Sequence, residues 1–96
     1  MITIKIKPLI GTFAENKDIA RSIRLEKITP KLEAGKDIIL DFAGVDSATQ
    51  SFIHALLAEI IRRHGNEALD HILFKNCTDA VKKMITIVID YVQESE

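Results

Sequence analysis

Tryptophan is absent from the chain, cysteine and tyrosine occur once each, and phenylalanine occurs four times. So few aromatic rings leave base-stacking platforms poorly supplied, and nucleic acid is not an expected partner. One cysteine, Cys77, cannot close an internal disulfide, which suits a reducing cytosol. An excess of charge is missing as well. The net charge is −1, whereas a protein built to neutralise phosphates is basic. No apolar run approaches the ~20 residues of a membrane-spanning helix. The start, Met1-Ile2-Thr3-Ile4-Lys5, alternates apolar and polar residues and lacks the apolar block of a signal peptide. A cytoplasmic protein without membrane insertion is therefore expected. Linkers, low-complexity tracts and repeats are also lacking. What is there is 96 residues, 47% of them apolar. That is enough for a single domain, 1–96, with an adequate but thin core.

Ile2, Ile4 and Ile6 alternate with Thr3, Lys5 and Lys7, which predicts a half-buried edge strand ended by Pro8. Leu9 to Phe13 adds a short extended piece around Gly11. Asn16 is the candidate N-cap of a helix over Lys17–Ala34. Its apolar residues change phase: Ile19, Ala20 and Ile23 share one face, while Leu25, Ile28 and Leu32 lie nearly opposite. Pro30 predicts a kink or restart, with Thr29 as cap and Pro30 as first helical residue, and Gly35 closes the segment.

Lys36 to Phe42 is the second strand. Its unbroken Ile38-Ile39-Leu40 predicts a central strand buried on both sides. Over Gln50–His64, Ile53, Leu56, Leu57, Ile60 and Ile61 form one stripe that Phe52 extends. Burying each is worth roughly 1.5–3 kcal/mol, so this helix anchors the core. Gly65-Asn66 stops it. His71 to Lys75 is the third strand. Asn76-Cys77-Thr78-Asp79 then caps a last helix whose stripe is Val81, Met84, Ile85, Val88 and Val92. The polar tail from Gln93 is expected to fray.

Strand and helix thus alternate three times. The predicted class is α/β, with a largely parallel sheet, an N-terminal edge strand and about three helices. In such sheets ligands gather at the carboxyl ends of strands. The stretch Asp41 to Phe52 lies there, with the densest group of small polar side chains in the chain.

Within this stretch, one of Ser47, Thr49 and Ser51 is expected to cap the helix. A hydroxyl at that helix start is also a place for phosphate. A phosphoserine would add roughly two negative charges, favoured by the helix dipole but opposed by Asp41 and Asp46. Asp41 reads best as an acceptor for loop amides rather than a general base. Ser51, His54 and Asp41 supply the parts of a nucleophilic triad, yet the Gly-x-Ser-x-Gly elbow is absent and no oxyanion hole is indicated. No catalytic residues are therefore assigned, and an enzyme is not expected. His54, His64, His71 and Cys77 fit no common ligand spacing, so neither metal nor cofactor is expected. Gly44 alone is no phosphate loop, and Arg62-Arg63 is a short basic spot on a solvated face. In the last helix Ile87, Ile89 and Tyr91 spread round faces other than the core stripe. Wide burial and a partner surface are equally good readings of them.

The run from Ile39-Leu40-Asp41-Phe42-Ala43-Gly44-Val45 through Ala48-Thr49-Gln50-Ser51-Phe52 resembles the bacterial STAS-like domains of unknown function. These are small relatives of the STAS domains of sulfate transporters and anti-sigma factor antagonists. Ala20-Arg21, Leu32-Glu33-Ala34-Gly35 and Phe74-Lys75-Asn76-Cys77 extend the resemblance over nearly the whole chain. It implies a cytoplasmic α/β domain that works by binding proteins, with a histidine-kinase-type ATPase as leading partner. The antagonists carry Asp-Ser-Ser-Gly and are phosphorylated on a serine at the helix start. Here the matching positions read Thr49-Gln50-Ser51-Phe52, so that serine falls on Gln50 and the glycine on Phe52. Ser51, next to the lost site, is the remaining candidate for phosphorylation.

The expected function is a non-enzymatic interaction module of bacterial signalling. Its contact surface would run from Gly44 to Ser51 and onto the following helix. Asp41, Gly44, Asp46, Ser47, Thr49, Gln50, Ser51 and His54 are the candidate binding residues, with Phe52 anchoring the helix to the core. A sensor of a small ligand or nucleotide at the same loop is the alternative.

Overall fold

Hydrophobic spacing and capping carry most of the architecture. The computed structural model describes residues 1–94. Strands β1 (Ile2–Lys5), β3 (Ile38–Asp41) and β5 (Ile72–Lys75) form a parallel sheet in the order β1-β3-β5. β1 lies at an edge and β3 at the centre, as the patterns predict. Helices α2 (Lys17–Ile23), α4 (Gln50–His64) and α5 (Asp79–Glu94) make up the helical layer, with α4 packed against both α2 and α5. One sheet face carries Ile4, Ile38, Leu40 and Ile72, all buried in the common core. The α4 stripe meets it with Phe52, Ile53, Leu56, Leu57, Ile60 and Ile61, all buried. Val81, Ile85, Val88 and Val92 bring α5 into the same core, which settles the helix reading of its β-branched run.

The other sheet face is open. Register places Thr3, Ile39 and Leu73 in one row and Lys5, Asp41 and Lys75 in the next. Leu73 is 53% exposed and Ile39 is only half-buried. The expectation that β3 is buried on both sides is therefore corrected. The helices cover the face of Ile38 and Leu40, while Ile39 stays partly open on the other.

Three local differences have physical causes. The first strand ends at Lys5, and Lys7–Ile10 forms one helical turn, α1, with Pro8 in its first turn. Proline suits that position because the amide it lacks has no helical partner there. Next, Phe13–Ala14 (β2) pairs in parallel with Ser47–Ala48 (β4), a two-stranded sheet too short to show a sequence period.

The third difference is the long helical segment, which neither breaks nor restarts at Pro30. α2 runs into a π-helical stretch, Arg24–Ile28, and on into α3 (Thr29–Glu33). The Thr29 amide donates five residues back to the Arg24 carbonyl, so Thr29 is helical and is not a cap. The extra residue in this turn rotates the stripe from Ile23 to Ile28, both buried. It also opens the turn that the Pro30 ring would otherwise crowd. Five helices are thus present among the described residues, against about three expected, because α1 is new and the long segment counts twice. The third strand begins at Ile72, after a 3₁₀ stretch over Asn66–His71. Helix α5 holds Gln93 and Glu94, and the rest of the expected frayed tail lies outside the described residues.

Asn16 does cap α2, its Oδ1 accepting from the amides of Asp18 and Ile19 at 2.9 and 3.2 Å. Gly35 and Gly65 follow their helices with φ of 77° and 75°, left-handed values at which only glycine is unstrained.

Candidate functional site

The stretch from Asp41 to Phe52 leaves the carboxyl end of the central strand and is braced from three sides. Phe42 is buried, and the Val45 amide donates back to its carbonyl at 2.9 Å to close a tight turn. Gly44, with φ of 82°, supplies the left-handed residue that turn needs. Val45 is buried and pins the loop to the core. The Asp46 amide then donates to the Thr12 carbonyl at 2.8 Å, and the Thr49 amide to the Ala14 carbonyl at 2.9 Å. From the other side, the Thr78 hydroxyl donates to the Asp46 carbonyl at 2.8 Å. Thr78 Oγ1 also accepts from the Val81 amide, which makes it the cap of α5.

Asp41 is a clamp. Its Oδ1 accepts from the Ala43 amide at 2.9 Å and from Asn76 Nδ2 at 3.0 Å. These donors, Asn76 first, hold its carboxyl below the ordinary range; Lys75 and Lys5 beside it in the sheet add to the effect. Such a carboxylate holds two loops together and is a poor proton acceptor. Asn76 itself sits at φ of 59°, a left-handed conformation that asparagine tolerates. Across from it, the Cys77 thiol is half-buried 3.9 Å from the Lys75 carbonyl, and burial pushes its pKa up.

At the start of α4, Thr49 is the cap: its Oγ1 accepts from the Phe52 amide at 3.1 Å. Gln50 and Ser51 are exposed on the first turn, and the Ser51 hydroxyl lies 3.3 Å from Thr49 Oγ1. Phe52 is fully buried. Ser47 is half-buried and pairs in register with Phe13, whose ring is 47% exposed. His54, one turn along α4, meets the ring of Tyr91 from α5 at a centroid distance of 6.4 Å. Tyr91 is 54% exposed, and Ile87, four residues before it on the same helical face, is 38% exposed.

The candidate residues are thus gathered on one end of the domain, but not as a triad. Ser51 faces Thr49, His54 faces Tyr91, and Asp41 is held by Ala43 and Asn76. His54 and His64 lie ten residues apart on α4, Cys77 lies beyond β5, and His71 instead meets Asp37 at 2.7 Å. No group of three or more His, Cys, Asp or Glu able to hold a metal gathers among the described residues. Phe13 is the residue that sequence reasoning missed at this site; Tyr91, read from the sequence as either widely buried or a partner surface, is exposed beside His54. Phe13 gives no local signal, because only the pairing of β2 with β4 brings it beside Ser47.

The geometry defines a small α/β domain with an exposed, hydroxyl-bearing helix start at the carboxyl ends of a parallel sheet. A family model described as the STAS-like domain of unknown function (DUF4325) matches residues 20–82, from α2 into the first turn of α5. The chain belongs to this family. No curated protein and no solved structure matches it. No helix among the described residues is long and apolar enough to cross a membrane.

Proposed function

We propose that the domain is a non-enzymatic interaction module of bacterial cytosolic signalling. It binds a partner, a histidine-kinase-type ATPase, through the Gly44–Ser51 segment and the start of α4. The observation that carries this reading is that two exposed aromatic residues flank the segment, Phe13 paired with Ser47 and Tyr91 against His54. Exposed aromatic side chains are among the residues that protein interfaces favour. The bracing of the loop adds to this, because a preformed surface loses little freedom on binding.

A small anionic ligand at the same loop is served less well. The amides of Ala43, Val45, Asp46, Thr49 and Phe52 are already engaged within the domain. Few donors are left there to cradle a phosphate.

Affinity co-purification from the native cytosol tests the proposal, with intact-mass analysis and wild type beside Phe13→Ala, Tyr91→Ala and Ser51→Glu. A kinase-type ATPase retained by wild type and lost by the two aromatic variants supports it. An added phosphate mapped to Ser51 makes a charge switch direct. Equal retention by all four proteins, or no ATPase with wild type, overturns it.

A further inference from the structure

A second feature lies on the face between α2 and α4, away from the loop. Two adjoining cavities of about 400 and 350 Å³ share Arg21, Arg24 and Glu59 and together make one open groove. Lys17 and Arg62 line one half, and Arg63 lines the other. Five cationic side chains thus face two carboxylates, Asp18 and Glu59, in a chain whose net charge is −1. Glu59 is shared by Arg62 and Arg63 at 3.6 and 3.9 Å. Lys17, Arg21 and Arg24 have no carboxylate within ion-pair distance among the described residues.

Arg24 adds an independent observation. Its Nε is buried and has no hydrogen-bond partner among the described residues. A buried guanidinium donor without an acceptor is costly, and a carboxylate that drew Nε out into the groove, which Arg24 lines, would relieve it with a charge-assisted bond. Arg24 opens the π-helical stretch, so the same extra residue that shifts the core stripe sets this side chain over the groove. Apolar surface in the groove comes chiefly from Leu25, 52% exposed, in one half and half-buried Ala55 in the other.

We propose that this groove binds an acidic, extended segment of a partner protein. From His54 to His64 the groove follows α4 for ten residues, or about 15 Å at the rise of an α-helix. That length takes four or five residues of extended chain, at about 3.3 Å each. Alternate side chains of such a segment point the same way, so two or three carboxylates reach the arginines together. Nucleic acid fits less well: no Phe, Tyr or Trp lines the groove for a base to stack on. The groove adjoins the partner surface proposed above at His54, but its test uses none of that surface's residues.

The test is a titration of the ¹⁵N-labelled domain, read at the arginine Nε–H signals. One probe is a blocked eight-residue peptide of alternating Glu and Ala with one central Leu. Its Gln counterpart and a short oligothymidylate are the others. The acidic peptide should shift the Arg24 signal saturably and weaken as salt is raised, while the Gln peptide should not bind. Arg63→Gln and Arg21→Gln should each weaken binding several-fold with the melting temperature unchanged. Arg24→Gln should weaken it by about tenfold or more, as loss of a charge-assisted fork predicts. Arg24→Lys should not restore wild-type affinity, since an ammonium lacks the fork. No saturable shift with the acidic peptide, or shifts spread equally over all arginines, overturns the proposal. Tighter binding of the oligothymidylate overturns it in favour of a nucleic-acid surface.

Discussion

Asn76 donates to Asp41 across 3.0 Å, and that bond ties together the loops leaving the carboxyl ends of β3 and β5. Asn76 does so from a left-handed backbone conformation. Two substitutions separate these features. Asn76→Gly removes the bond but keeps the backbone at ease, whereas Asn76→Ala removes the bond and adds strain. Alanine should therefore be the less stable of the two by roughly 1–2 kcal/mol, the cost of a Cβ in the left-handed region. Urea unfolding of both variants checks this. Equal midpoints would mean that the loop can change conformation freely.

The same pair makes stability depend on acid. The Asp41 carboxyl is held below its ordinary value of 3.8, by Asn76 first and the Ala43 amide second. A carboxylate with a depressed folded-state pKa stabilises the fold fully above the unfolded value and loses that contribution as pH falls through the folded one. Asp41→Asn should therefore be less stable than wild type at neutral pH, and the gap should close as pH falls below 3.8 and through the lower folded-state value. Unfolding midpoints measured across that range decide it. A gap that stays constant into acid would show that the charge on Asp41 is not what holds the loops.

Phe52 is fully buried among core residues. Phe52→Ala should cost about 3–5 kcal/mol, the usual range for emptying a buried phenylalanine site. In a domain of this size, that is a large part of the whole stability. Thermal unfolding monitored by circular dichroism is the check. An unchanged melting temperature would place the ring at the surface.

Much of this arrangement is legible in the chain because its signals are local. The Asn16 cap, the stripe of α4 and the phase of α5 each lie within a few turns, and each predicts its element. The phase change between Ile23 and Ile28 is equally visible, but Pro30 offers a false reason for it. A proline break and a π turn both displace a stripe, and the sequence does not distinguish them. Pro8 misleads in the same way, since it ends strands and also opens helices. Phe13 beside Ser47, Tyr91 beside His54, and Arg21 and Arg24 beside Arg62 and Arg63 are tertiary meetings. Each depends on pairing or packing between separate elements, so no spacing along the chain announces them.

Gly44 turns the loop at φ of 82°, and a Cβ built there would lie 2.5 Å from Lys7 Cδ. The lysine end can swing aside, so the close approach is the smaller cost. The backbone conformation cannot be relieved without undoing the turn. Gly44→Ala should lose roughly 1–2 kcal/mol. Adding Lys7→Ala should recover only a small part of the loss. Recovery of most of it, measured by urea unfolding of the double variant, would locate the problem in the lysine contact instead.

Ser51 decides whether a charge at the helix start can act as a switch without damaging the fold. Its hydroxyl is exposed beside Thr49, while Thr49 alone accepts the Phe52 amide. Thr49→Ala should thus cost about 1 kcal/mol, the usual worth of a cap, whereas Ser51→Ala should cost little. Ser51→Glu places a negative charge in the first turn of α4, where the helix dipole favours it by about 0.3–1 kcal/mol. Asp46 and Asp41 oppose part of that gain. The variant should therefore melt within a few degrees of wild type. If it does, loss of a partner on introducing Glu reports on the contact surface itself. A large fall in melting temperature would show that α4 does not accept charge at this position, and phosphorylation of Ser51 would then act by unfolding the helix start rather than by repelling a bound protein.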